Sequence, residues 1–227
     1  PAFIRAYDLL HDGMRDLRGE TFRERRTRLE TFVLGIESDR FDLSPLVPIT
    51  TLAALDDARL DPPAPEIEGV MLKRWDSAYL AGRPKGLWYK WKRDPYLVDA
   101  VLMYAQRGHG KRSSFYSDFT FGVWRDEDGE DRLTPVGKAY FGFTDEELKQ
   151  LDAFVRANTI DRFGPVRSVT ASKETGVVLE VAFEGLQRSP RHKSGLAMRF
   201  PRINRIRWDK PTAEADRLET LEAMLPD

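Results

Sequence analysis

Residues Gly86 to Pro95 read GLWYKWKRDP, and a short stretch upstream, Glu68 to Lys73, reads EGVMLK. In an extended strand successive side chains alternate faces, so Trp88, Lys90 and Lys92 project from one side and Leu87, Tyr89 and Trp91 from the other. Two ammonium groups then share a face, which a fold tolerates where an anion sits between them or where water surrounds them. The first alternative points to a bound phosphate. The second is a solvated strand face with aromatics packed behind it. The KxK pattern taken alone leaves both open.

Working outward, the segment Asp61-Pro62-Pro63-Ala64-Pro65 is rigid, helix-incompatible punctuation that delivers the chain to Glu68. A carboxylate at the mouth of a strand, opposite two lysines, suits a divalent metal bound to a nucleotide phosphate, and equally an ordinary surface acid. Further upstream, Phe3 to Leu10 is apolar and aromatic enough for a buried strand that ends at the turn His11-Asp12-Gly13. Thr21 and Glu24 form a capping-box signature, with Leu29, Phe32, Val33 and Ile36 at helical spacing behind them. A helix is expected from about Thr21 to Ile36, with the arginines of its first half, Arg23, Arg25, Arg26 and Arg28, on a solvated face. Phe41 to Leu46 reads as a short strand, and Thr50 or Thr51 can cap a short helix through Ala58.

After Pro95 the pattern becomes β-rich. Val98 to Tyr104, Phe115 to Arg125 and Leu133 to Val136 are aromatic or β-branched runs, with a hairpin turn at Asp126 to Glu130. Thr144 and Glu147 cap a helix through about Ala157 whose apolar stripe is Leu148, Leu151, Phe154 and Val155. Val177 to Phe183 is a further strand, and Thr212 to Leu225 reads as an acidic amphipathic helix packed on its own domain. Short strands interrupted by one helix sketch an OB-fold, although composition also allows other small barrels.

Length and composition bound these readings. The chain has 227 residues, enough for one large domain or two of ordinary size. No apolar run approaches the roughly 20 residues needed to cross a bilayer, so no membrane partner is expected. The absence of cysteine excludes a disulfide framework, a thiolate nucleophile and a cysteine-ligated zinc site. The opening PAFIRAYDLL has no secretory pattern, which makes the cytoplasm the expected location.

With 36 basic and 37 acidic side chains the net charge is −1, which in sum argues against a nucleic-acid partner. The distribution argues for one. From Arg188 to Lys210 seven arginines and lysines precede Lys210, against the single acid Asp209. A second cluster, RGHGKR from Arg107 to Arg112, mixes glycine with base as phosphate-contacting loops do. The candidate DNA-binding residues are therefore Arg107, Lys111, Arg112, Arg188, Arg191, Lys193, Arg199, Arg202 and Arg205.

Three motifs in order give the chain a resemblance. EGVMLK at Glu68 to Lys73, the WxKxK strand at Trp88 to Lys92, and FPRINRIRWDK at Phe200 to Lys210 resemble the motifs of ATP-dependent DNA ligases, most closely the bacterial type. EVAFEGLQRSPRHKSGLAMR, from Glu180 to Arg199, is similar to the segment that precedes the last of them. The resemblance implies an α+β architecture. A partial nucleotidyltransferase (ATP-grasp-like ligase) domain over residues 1–95 is followed by a β-rich OB-fold barrel over residues 96–227 that ends in the acidic helix.

It also implies roles. Tyr7, just before an aspartate in AYDLL, stacks on adenine by motif match, whereas its residue pattern alone suits a core tyrosine as well. Tyr7, Glu68, Lys73, Lys90 and Lys92 form the expected ATP site, Glu68 being the Mg2+ ligand. Lys90 and Lys92 neutralise phosphate charge. Arg207, Asp209 and Lys210 orient the departing pyrophosphate, after which their domain swings on a hinge near Asp94 to Leu97 to grip DNA.

The implied activity is sealing of nicks in duplex DNA through enzyme-adenylate and DNA-adenylate intermediates, by a monomer, in DNA repair or recombination. Neither the KxDG motif that supplies the nucleophilic lysine nor a DGE precedes Tyr7. The expectation is thus a C-terminal portion of such a ligase, unable to adenylate itself. The alternatives are a non-catalytic OB-fold nucleic-acid-binding module, and an RNA ligase or capping-type nucleotidyltransferase, against which the last motif and the run before it argue.

Overall fold

The structure is a computed structural model, and it describes residues 2–64, 67–108, 115–140 and 144–225. Its chain forms two compact units, Pro1–Arg93 and Asp94–Asp227.

The first unit contains β1 (Ile4–Ala6), β2 (His11–Asp12), β3 (Arg15–Asp16), α1 (Phe22–Leu34), β4 (Phe41–Leu43), α2 (Leu52–Leu60), β5 (Gly69–Lys73) and β6 (Trp88–Lys92). Among the described residues its strands pair in twos: β1 with β4 in parallel, β2 with β3 and β5 with β6 antiparallel. α1 starts where the capping box placed it. Thr21 accepts from the Glu24 amide, and the Glu24 carboxylate accepts from the Thr21 amide at 2.9 Å, so two orphan donors of the first turn are satisfied.

Two expectations fail in this unit. The strand expected over Phe3 to Leu10 is only three residues long and is not buried; Phe3 and Ile4 are both 56% exposed, because the parallel partner β4 covers one edge and no layer covers their faces. The arginine-rich start of α1 is a solvated face only in part, since Arg23 is exposed but Arg25 and Arg26 are not. Arg25 is completely buried and Arg26 nearly so, each hydrogen-bonded to acids and carbonyls of neighbouring segments.

The second unit contains β7 (Tyr96–Arg107), β8 (Tyr116–Glu127), β9 (Glu130–Tyr140), α3 (Asp145–Ala157), β10 (Thr159–Phe163), β11 (Val166–Val169), β12 (Val178–Phe183), β13 (Gly185–Arg188), β14 (Leu196–Arg199), β15 (Arg202–Arg207) and α4 (Leu218–Glu222). β7, β12, β15, β9 and β8 follow one another around a sheet whose ends meet through β7–β8 pairing, which closes a five-stranded barrel. A parallel contact, β15 with β9 at Arg202 and Tyr140, seals it. With α3 between β9 and β12, this is the OB-fold arrangement.

Phe119, Phe121, Leu102, Leu179, Val181 and Phe183 fill the barrel, and Leu151 and Val155 of α3 plug into the same core. The hairpin between β8 and β9 turns at Asp128 (φ +57°) and Gly129 (φ +86°), the two left-handed residues that a tight right-twisted hairpin requires. The acidic tail departs from the single helix expected. Thr212–Glu214 is one turn of 3-10 helix, an extended stretch follows, and only Leu218–Glu222 is α-helical. The extended stretch is held because the Asp216 amide donates to the Asp99 carbonyl and the Trp124 amide to the Asp216 carbonyl, pairings a continuous helix would forbid. No helix among the described residues is long and apolar enough to cross a membrane.

Candidate active site and nucleic-acid interface

The two signature stretches fold into one antiparallel hairpin. Gly69 stands opposite Lys92, Met71 opposite Lys90 and Lys73 opposite Trp88. Directly opposed residues share a face, so Lys90, Lys92 and Lys73 lie on the same side of this two-stranded ribbon. Gly69 has φ +145°, and a Cβ there would run into the Trp91 carbonyl, so the strands can begin this close only with glycine. The Arg93 amide donates to the Glu68 carbonyl at 2.9 Å, and Arg59 of α2 donates to the Lys92 carbonyl at 2.9 Å while its guanidinium lies 5.0 Å over the Trp91 ring. The end of β6 is thereby fixed from both sides.

The structure resolves the question left by the KxK pattern in a third way. Lys92 Nζ lies 2.6 Å from Glu68 Oε2, so an anion does answer one of the lysines, and it is the chain's own carboxylate. Lys90 is exposed and borders a cavity of about 330 Å³ lined also by Met71, Tyr79, Arg83, Leu87 and Trp88. Among the described residues no three His, Asp or Glu side chains converge as a metal cage. Glu68 contributes a single carboxylate, which fits Mg2+ carried in by substrate phosphates rather than one held by protein alone.

Tyr7 is not in the core. It is 59% exposed, and Lys73 Nζ sits 4.5 Å over its ring and 3.4 Å from its carbonyl oxygen. The same ammonium lies 4.7 Å over Phe22 and 4.1 Å over Trp88, a cage of three ring faces. Burial lowers the Lys73 pKa to about 8; Asp8 opposes that fall and Arg25 and Arg26 add to it. This cage went unforeseen in the sequence. Its signal was the alternation that puts Lys73 on the same face of the hairpin as Trp88.

In the second unit the basic residues from Arg188 to Lys210 divide into two groups. Those on β15 and just after it are answered by acids of β12, of the residue that follows it, of β7 and of the turn after β15. Arg202 donates to Glu184 at 2.8 Å, and Arg205 and Asn204 both donate to Glu180. Arg207 lies within 3.3 Å of Asp99 and 3.9 Å of Glu180 and donates to Asp209 at 2.9 Å, while Lys210 donates to Asp99 at 2.8 Å. Burial works against the Glu180 charge, yet the donors Asn204 and Arg205 hold its carboxyl below the usual range. The hydrogen bond to Asp209 raises Arg207 still further. Asp99, Glu180 and Glu184 lie outside the basic stretch, so the charge segregation seen along the sequence does not persist in space at β15.

The second group keeps its charge. Arg188, Arg191 and Lys193 stand exposed on the β13–β14 hairpin, with no ion pair to any of them among the described residues. His192 bonds Ser189 at 2.8 Å in the same loop. Arg199 ends β14, its guanidinium 5.2 Å over Phe200. Arg107 ends β7 and lies 5.6 Å over the Tyr116 ring, while Lys111 and Arg112 fall outside the described residues.

Comparison with known proteins bears on both units. Residues 1–92 match the family model described as ATP dependent DNA ligase domain, and residues 112–210 match the one described as ATP dependent DNA ligase C terminal region. A probable DNA ligase of Opitutus terrae is 37% identical across 97% of this chain and 24% of its own length. A DNA ligase of Halorubrum lacusprofundi is 35% identical across 99% of this chain and 36% of its own. The chain spans between 24% and 41% of the length of the curated relatives it matches. A solved structure from a structure-function analysis of Lig E DNA ligases shares the fold, with a TM-score of 0.60 at 18% identity over 90% of this chain and 63% of that one. With two successive family models covering both of its units, the chain belongs to the ATP-dependent DNA ligase family.

Proposed function

We propose that this chain carries the phosphate-handling and DNA-gripping parts of an ATP-dependent DNA ligase, acting on nicked duplex DNA as a cytoplasmic monomer. The observation that carries the reading is the shared face of the β5–β6 hairpin. Tyr7 and Lys73 stand at one end of it, Lys90 in the middle beside a cavity, and Lys92 with Glu68 at the other.

Adenine stacks on the exposed Tyr7 ring, and Lys90 neutralises charge as it develops on the phosphate under attack. Lys92 does the same once Glu68 is drawn from it. Glu68 would hold Mg2+, which would supply charge neutralisation at the phosphate oxygens. In the final step the 3′-hydroxyl oxygen attacks the adenylated 5′-phosphate, the new phosphodiester bond forms as the phosphoanhydride bond to AMP breaks, AMP leaves, and the hydroxyl proton passes to water. Arg207 and Lys210, tethered on Asp99 here, exchange that carboxylate for the departing pyrophosphate in a ligase that carries the nucleophilic lysine. The exposed hairpin cations Arg188, Arg191 and Lys193 contact the DNA backbone, joined by Arg107, Lys111, Arg112 and Arg199. No KxDG nucleophile is present in the sequence, so self-adenylation is not among the activities proposed.

The test is sealing of a nicked duplex that carries a preformed 5′-adenylate, with Mg2+ and without ATP. It compares this chain with the double substitution Lys90→Glu and Lys92→Glu. Sealing by the first and not the second is the expected result. Sealing by neither, or equally by both, removes the reading.

A further inference from the structure

We propose that Lys73 is a positioning residue that acts through Tyr7. Its ammonium backs one face of the Tyr7 ring so that the opposite, solvent-facing side is held out for a purine base, and it makes no contact with nucleotide phosphate. The proposal rests on the adenine-stacking part of the function proposed above and names what sets that platform.

Three observations converge on it. First, Lys73 Nζ lies over Tyr7, Phe22 and Trp88 at 4.5, 4.7 and 4.1 Å, so its charge is spent on ring faces. Second, the same nitrogen reaches the Tyr7 carbonyl at 3.4 Å, which ties the backbone as well as the ring. Third, the wall behind it is rigid. Phe22 is buried and stacks on Trp75 at 5.4 Å, Trp88 meets Tyr79 edge-on at 5.9 Å, and Asp8, next in sequence to Tyr7, is clamped by the buried Arg25. A cation on one face of an aromatic ring draws its π density that way and leaves the outer face better matched to an electron-rich purine. Tyr7 is 59% exposed, with Lys73 against one face of its ring.

The charged groups facing Lys73 are Asp8, after β1, and Arg25 and Arg26 of α1. Burial leaves its pKa at about 8, so the cation behind the ring is lost over mildly alkaline pH.

The experiment measures binding of adenosine, which has no phosphate, and of ATP, to the whole chain by calorimetry. Replacing Lys73 by Met should weaken both by the same factor, roughly 3- to 30-fold, since only the cation–π support is removed. Lys73→Arg should stay close to the parent. In a Tyr7→Ala background Lys73→Met should cause no further loss, because the lysine acts only through the ring. Adenosine affinity of the parent should fall as pH rises through about 8, and that of Lys73→Arg should not.

Loss of ATP binding with adenosine binding intact would make Lys73 a phosphate ligand and overturn the proposal, as would losses that add to those of Tyr7→Ala. Should Lys73→Met fail to fold, the Arg variant and the pH dependence of the parent decide: a parent affinity flat across that range overturns it. If the parent binds neither adenosine nor ATP, the adenine site itself is refuted, and with it the proposal.

Discussion

The guanidinium of Arg25 grips the Asp8 carboxylate with two hydrogen bonds, Nε to Oδ1 at 2.9 Å and Nη2 to Oδ2 at 3.1 Å, and both side chains are sealed from solvent. Its remaining arm donates to the Glu20 carbonyl at 2.6 Å and the Ser77 carbonyl at 3.1 Å. One residue of α1 thus joins the segment bearing Tyr7, the start of its own helix and the loop after β5. Removing one partner strands a buried charge, so Arg25→Ala should destabilise the first unit by about 3–5 kcal/mol. Arg23, whose guanidinium lies 4.8 Å over Trp75 on the exposed side of the same helix, should lose no more than about 1 kcal/mol as Ala. Urea unfolding of the two variants checks this. Equal effects would mean the buried clamp does not organise the unit.

What the sequence made legible was local. Thr21 with Glu24 and Thr144 with Glu147 each name a helix start, because a capping box is complete within four residues. The alternation of β6 correctly put Lys90 and Lys92 on one face for the same reason. What failed was set by partners far along the chain. Arg25 reads as a surface arginine until Asp8, 17 residues away, is brought against it. The cations from Arg202 to Lys210 read as a free basic strip until Glu180 on β12, Glu184 just after it and Asp99 on β7 are brought against them. The tail reads as one helix until the barrel captures Asp216 as an added strand-like contact. Tyr7 lies between these cases: its aromatic strand pattern is equally that of a core residue, and only its exposure separates the two.

Glu68 and Lys92 form an ion pair with side chains 25% and 39% exposed, and pairs this wet contribute about 0–1 kcal/mol. Glu68→Gln should therefore leave stability within about 1 kcal/mol while lowering sealing of a preadenylated nick by at least about 100-fold. Lys92→Met should lower sealing comparably. The two differ in their response to Mg2+: raising its concentration should partly rescue the glutamine variant, whose defect is metal affinity, and not the methionine variant. Identical Mg2+ responses would count against Glu68 as the metal ligand.

Lys73 has an alkaline signature in stability as well as binding. Its pKa is lowered from 10.5 to about 8 by burial, so between those values the unfolded chain holds a proton that the folded chain has released. The unfolded state binds more protons there, and stability contributed by this group rises with pH across that window. Chemical denaturation of the parent at a series of pH values should show that rise, and Lys73→Met should lack it. The sign is opposite to that expected for adenosine affinity, so global loosening at high pH cannot mimic both.

Asp131 carries the corresponding acid signature in the second unit. It accepts from Arg217 and Lys173, each at 2.7 Å, joining β9 to the tail and to the loop before β12. The hydrogen bonds from Arg217 and then Lys173 lower its pKa from 3.8 to about 2. A depressed carboxyl contributes stability above its unfolded value and loses it as pH falls through the folded one, here from 3.8 to about 2. Asp131→Asn should be less stable than the parent at neutral pH, with the difference shrinking across that interval. A difference independent of pH would assign the loss to packing instead.

The two groups of basic residues in the barrel unit should separate in their response to salt. Each phosphate neutralised on duplex DNA contributes about 0.9 to the slope of log affinity against log salt. If Arg188, Arg191 and Lys193, exposed on the β13–β14 hairpin, each meet one phosphate, replacing all three by Ala should reduce that slope by about 3. Arg205 is already engaged by Glu180 through Nε at 3.2 Å and Nη2 at 3.0 Å. Arg205→Ala should therefore leave the slope within about half a charge and instead lower barrel stability by no more than about 1 kcal/mol, since the arginine is largely exposed and Asn204 still donates to Glu180. Fluorescence anisotropy with a nicked duplex over a range of salt measures the first quantity and urea unfolding the second. A slope that falls for Arg205→Ala and stays fixed for the hairpin variant would move the DNA contact from the hairpin to β15, and would require Glu180 to release its arginine on binding.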